Sequence, residues 1–188
     1  MKKTILAMVI TASTAFSAQV FATNQAEVTI QGEVADSKTS CVVTPTGTLN
    51  NGIVKLMTVT TAEATGKAVN TLFKNQKFGF QVSDCAIGGP DENNVTGLSV
   101  KVTGTNSSSP EILDNVAEDG ATNIGIGIQK LSDSSRIKFD GTAVNEAYTP
   151  QQTTNLEYFA GYVKVNGANP VTEGPVKGVA TFTIDYTI

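Results

Sequence analysis

Two segments at opposite ends of the chain place apolar residues at every second position. Near the start, Ala26, Val28, Ile30, Gly32 and Val34 are separated by Glu27, Thr29, Gln31 and Glu33. At the end, Ala180, Phe182, Ile184, Tyr186 and Ile188 alternate with Thr181, Thr183, Asp185 and Thr187. Successive side chains of a strand point to opposite faces, so each segment is a strand with one apolar and one polar face. Read as the end of the chain, the second segment has no following residues to cover it. What pairs with its outer edge then becomes the functional question, because an open apolar sheet edge recruits other strands.

The first residues read as a targeting segment. Lys2 and Lys3 precede a mostly apolar stretch from Ile5 to Phe16, too short to span a bilayer comfortably. Val20-Phe21-Ala22 fits a signal-peptidase site, with Ala18 as the second choice. The expected division is a signal peptide at 1–22, an N-terminal extension at 23–34 and one domain at 35–188. No later run is long and apolar enough to cross a membrane, so export without membrane insertion is expected.

Composition excludes several functions. The chain has no His and no Trp, and its net charge is -4. Arg136 is its single arginine. Nucleic acid and anionic lipid need a cationic patch and are not expected partners. Without histidine, Ser-His-Asp and Cys-His arrangements are impossible, and a zinc site lacks its usual nitrogen ligands. Asp91-Glu92 and Glu118-Asp119 are acidic pairs in turn-like surroundings and read as solvated carboxylates. No phosphate-binding glycine loop is present, and no cofactor, metal site or enzymatic activity is expected.

Cys41 and Cys85 are the two cysteines. In an exported chain they are expected to form one structural disulfide, joining the first strand of the domain to the end of the Phe78–Val82 strand. A loop of this length contributes about 4 kcal/mol in the chain-entropy account.

Short strands punctuated by Gly, Pro and Asn predict an all-β sandwich. Strands are expected over 26–35, about 39–44, 53–60, 77–85, 95–102, 124–128, 136–139, 156–165 and 176–188. Thr61 to Val69 reads as a turn or one helical turn. Gly125 and Gly127 alternate with Ile124, Ile126 and Ile128. They indicate close approach by another backbone, or an exposed flat face.

These pieces, in this order and spacing, resemble the major pilin subunits of chaperone–usher fimbriae of Gram-negative bacteria. The matching stretches are Val28-Thr29-Ile30-Gln31-Gly32-Glu33-Val34, Cys41-Val42-Val43 and Phe78-Gly79-Phe80-Gln81-Val82-Ser83-Asp84-Cys85. Gly125-Ile126-Gly127-Ile128 and Ala180-Thr181-Phe182-Thr183-Ile184-Asp185-Tyr186 follow. The family usually has Asn where Asp84 precedes the second cysteine.

The resemblance implies an incomplete immunoglobulin-like sandwich lacking its final strand, with an N-terminal donor-strand extension. A periplasmic chaperone fills the groove first. At the outer-membrane usher the extension of the next copy replaces it. The implied donor residues are Ala26, Val28, Ile30, Gly32 and Val34. The implied acceptor groove is lined by Ala180, Phe182, Ile184, Tyr186 and Ile188. The implied function is a structural subunit of a fimbrial shaft on the cell surface. The alternatives are a minor pilin of the same system and a monomeric periplasmic ligand-binding sandwich, whose first strand would simply be 26–34.

Overall fold

The computed structural model of the chain describes residues 26–29, 41–47, 52–83, 85, 95–149 and 152–187, with 26–29 and 187 described by backbone alone. Within these residues the strands are β1 (Ala26–Thr29), β2 (Val42–Thr46), β3 (Leu72–Ser83) and β4 (Gly97–Gly104). They continue with β5 (Ile124–Lys130), β6 (Val144–Ala147), β7 (Thr154–Lys164) and β8 (Val176–Thr187). They form two sheets, ordered β1-β8-β4-β6 and β2-β3-β7-β5. Every pairing is antiparallel except β1 with β8, which is parallel.

Alternation sets which faces meet. Leu98, Val100 and Val102 of β4 and Ala180 and Phe182 of β8 are buried from one sheet. Phe78, Phe80 and Val82 of β3, Leu156, Tyr158 and Ala160 of β7, and Ile124, Ile126 and Ile128 of β5 are buried from the other. Phe182 is the hinge between them. Its ring centroid lies 5.0 Å from Phe80, 5.4 Å from Tyr158 and 5.9 Å from Phe78. Edge-on and tilted contacts at these distances add to the burial of each ring.

Cys41 and Cys85 are bonded. The bridge joins the residue before β2 to the segment just past β3, as expected from the sequence.

The glycines of β5 are a close approach. A side chain on Gly125 would meet Ile112 and the carbonyl of Leu113, and one on Gly127 would meet the Arg136 guanidinium. Leu113 exchanges both backbone hydrogen bonds with Ile126, at 2.8 and 3.0 Å.

Two expectations need correction, and a third holds. Residues 54–60 form no ladder, although Val54 and Leu56 are buried. They alternate because they cross over the core, and alternation alone does not supply a partner strand. Residues 136–139 form no strand but scattered bonds, among them Ile137 N–H to Ile128 at 2.9 Å, Phe139 N–H to Pro110 at 2.7 Å and Gly104 N–H to Phe139 at 3.1 Å. The Ala-rich stretch contains helix α1 (Thr61–Thr65), one turn long. The Thr60 hydroxyl caps it by accepting the Glu63 N–H at 3.2 Å, and the buried Lys164 ammonium donates to the Thr65 carbonyl at 2.7 Å. Both ends of so short a helix are thereby satisfied from outside its own backbone.

Candidate assembly interface

The site is built around β8. β4 covers one edge of this strand from Ala180 to Thr187, opposite Gly104 to Gly97. β1 takes the other edge, but only over four residues: Ala26 faces Val176, Glu27 faces Lys177, Val28 faces Gly178 and Thr29 faces Val179. Among the described residues nothing pairs with that edge from Ala180 onward. Ala26 and Val28 therefore sit beside β8 of their own chain. Ile30, Gly32 and Val34 lie outside the described residues, as does Ile188.

The inward residues of β8 change along its length. Val176, Ala180 and Phe182 are buried, whereas Ile184 and Tyr186 are half-buried. The strand also crosses the opposite sheet obliquely. Gly178 lies over Ile126 of β5, and Phe182 over Tyr158 of β7 and Phe78 and Phe80 of β3. Its path leads toward β2, the strand beyond β3 at the end of that sheet.

β2 supplies the feature that sequence reasoning missed. Val43 stands opposite Val82, and Pro45 opposite Phe80. Directly opposed residues of an antiparallel pair share a face, so Val43 and Pro45 point to the interior side of the sandwich. Val82 and Phe80 are buried there, at 0% and 3% exposed, yet Val43 is 37% exposed. Pro45 is exposed as well. Among the described residues nothing covers this inward-facing row. Val42, on the outer face, is 51% exposed. The signal in the sequence was Cys41-Val42-Val43, whose two adjacent valines cannot both face the core of a sheet.

The outer face of β8 is polar and ordinary. Lys101 and Asp185 pair across β4 and β8 at 2.8 Å. An exposed pair of this kind contributes about 0–1 kcal/mol. Asp91 and Glu92 lie outside the described residues. Among the described residues, no cluster of His, Cys, Asp or Glu suits a metal ion, and no helix is long and apolar enough to cross a membrane.

A family profile described as Fimbrial protein matches residues 28–187. The chain belongs to the fimbrial protein family. This is a family of structural proteins and not of enzymes. Among solved structures, the chain is similar to the rod subunit PapA of the P pilus, with a TM-score of 0.60 and 18% identity. That match covers 78% of this chain and 99% of the other. A chaperone–usher pilus structure concerned with rod uncoiling matches with a TM-score of 0.60 and 18% identity, over 84% of this chain and 92% of that one. No curated protein matches the chain. At these identities the solved structures establish the fold, the immunoglobulin-like sandwich of a pilin. The fimbrial family assignment rests on the profile, which spans both β8 and the exposed inner face of β2.

Proposed function

We propose that this fimbrial protein is a structural subunit of a pilus shaft, polymerising by donor-strand exchange after chaperone-assisted folding. The observation that carries the reading is the inner face of β2, where Val43 and Pro45 face inward and remain exposed. A strand laid between that face and β8 bonds to the β8 backbone and sends alternate side chains inward, which is the physics of strand addition.

The donor in this reading is residues 23–34 of the next copy, with Ala26, Val28, Ile30, Gly32 and Val34 facing the groove. Each fully buried Val or Ile contributes roughly 1.5–3 kcal/mol. Gly32 leaves room where the two backbones come close. The acceptor residues are Ala180, Phe182, Ile184, Tyr186 and Ile188. Before assembly a periplasmic chaperone fills the groove, and an outer-membrane usher is the site of exchange. Residues 1–22 direct export, and the final location is the cell-surface fimbria. Similarity to a pilus rod subunit supports the shaft over a minor position in the same fibre.

One observation favours a different reading. β1 pairs with β8 of the same chain, as a self-contained monomeric sandwich would require. Deleting residues 23–32 separates the two. A shaft subunit without them still co-purifies with its chaperone from the periplasm, and that complex accumulates while filaments disappear. A self-contained monomer forms no filaments even with the full sequence, and losing its first strand lowers its melting temperature. Normal filaments from the deletion strain would end the donor-strand proposal.

A further inference from the structure

A cleft of about 460 Å³ opens at the end of the sandwich where β5 begins and β7 ends. Its size falls within the roughly 300–1,000 Å³ typical of small-ligand sites. It is walled by the loop preceding β5 and by the loop joining β7 to β8.

Two asparagines make these walls rigid. The Asn115 amide donates to the carbonyls of Ala121 and Pro175 at 2.8 and 2.9 Å, and its oxygen accepts from Lys177 and Ala117 at 2.8 and 3.1 Å. The Asn123 amide donates to the carbonyls of Asn166 and Asn169 at 3.1 and 2.6 Å and accepts the Asn166 N–H at 2.8 Å. Both amides are consumed in holding loops.

Other groups in the cleft retain hydrogen-bonding capacity. One Asp114 oxygen accepts the Ser107 N–H at 2.8 Å, and its other oxygen has no protein donor among the described residues. The Ser108 hydroxyl, the Asn166 Nδ2 and both ends of the Asn169 amide likewise have no partner among them. Apolar surface from Ile124, Val165 and Pro170 lies between these groups. No lysine or arginine lines the cleft, and Asp114 is its one ionisable residue.

We infer that this cleft binds a neutral saccharide. A pyranose presents hydroxyls that both donate and accept, and amide, hydroxyl and carboxylate groups match them on fixed positions. Its C–H face suits the Pro170 and Val165 surface. The absence of a cation and the presence of Asp114 exclude an acidic sugar. Walls fixed before binding reduce the ordering cost of a weak polar ligand. The site is separate from the far end of β8 and does not depend on the assembly reading.

Saturation-transfer NMR on the purified full-length protein tests this, using methyl glycosides of glucose, galactose and mannose and the methyl glycoside of N-acetylglucosamine, with glucuronate as the acidic control. We expect transfer to at least one neutral glycoside and none to glucuronate. Shifts of backbone amide signals should concentrate at 122–124 and 165–172. The changes Asn169→Ala, at an exposed residue, and Asp114→Asn, at a half-buried one, should each weaken binding about fivefold, and together more than tenfold. Absence of transfer to all four glycosides at about 10 mM, above the millimolar affinity that a single small sugar achieves, overturns the inference. So does transfer that survives undiminished in a folded double variant, or shifts that map elsewhere on the protein.

Discussion

Arg136 and two tyrosines show how individual residues hold this sandwich. The Arg136 guanidinium covers the glycine face of β5 and donates to the carbonyls of Glu111 at 2.8 Å and Asn70 at 3.2 Å. Burial lowers its pKa and the nearby Glu111 charge raises it again, yet it remains a cation. Its Nε is buried without a partner among the described residues, so two loops are tied down at some cost in desolvation. Tyr158 and Tyr162 are the larger liability at high pH. Burial pushes the Tyr162 phenol up from 10.0 to about 12. Burial also pushes Tyr158 upward, with the Glu146 charge acting in the same direction. A phenol with a raised pKa in the fold stabilises it fully below its unfolded value near 10, and that stability is lost as pH climbs through the folded value. We therefore expect stability to decline between about pH 10 and 12. Absorbance titration of phenolate should show a component that appears only with the loss of the circular-dichroism signal. Complete phenolate formation in a still-folded protein would contradict this account.

At the scale of elements, the far part of β8 should decide assembly separately from folding. Ile184 is half-buried toward the far end of the strand, past the ring cluster around Phe182. Ile184→Lys places a charge where an added strand would bury it, and an unpaired charge is costly out of water. We expect a folded domain with a disulfide and near-normal circular dichroism, but loss of filaments in electron micrographs. Filaments of ordinary length from this variant would argue against the edge as the acceptor. Strands β4 and β8 were legible in the sequence because one face of each is buried, which forces apolar residues onto alternate positions, and β5 because its second face, though buried, is packed so closely that it takes glycine. The first half of β3 was not, because a register shift between Phe73 and Gln76, with Lys74 at φ 54°, interrupts the alternation. β6 escaped notice because Val-Asn-Glu-Ala is a short edge strand with no buried residue. On the side of the proposed interface, the spacing of Phe182, Ile184 and Tyr186 showed an apolar face, and only the family resemblance gave that face a role. Val43 and Pro45 could not be read from spacing, since their importance lies in being exposed on the inward side of a sheet, and only the register with β3 reveals which side that is.

For the whole molecule, the disulfide and the exposed inner face of β2 belong to one problem. Among the described residues β2 is the end strand of its sheet, bonded on one side only, to β3, through five residues that are all exposed. Little buried area holds it in place, so the Cys41–Cys85 bridge at its base does what packing would do elsewhere. The bridge spans 44 residues of sequence, and closing such a loop stabilises the fold by about 4 kcal/mol in the chain-entropy account. Losing it should release β2 first and with it that exposed inner face, leaving the β3-β7-β5 and β8-β4 pairings under the common core. Cys41→Ser should therefore lower thermal stability and, in cells, reduce the amount of subunit recovered, because an opened edge is a substrate for proteases and for aggregation. Hydrogen exchange provides the finer measurement. In the variant, amides of β2 and the facing end of β3 at 79–83 should lose protection well before those of β7. Equal loss of protection in β2 and β7 would mean that the bridge supports the sandwich as a whole and not β2 in particular. A variant with unchanged protection and unchanged melting would mean that strand pairing alone holds β2.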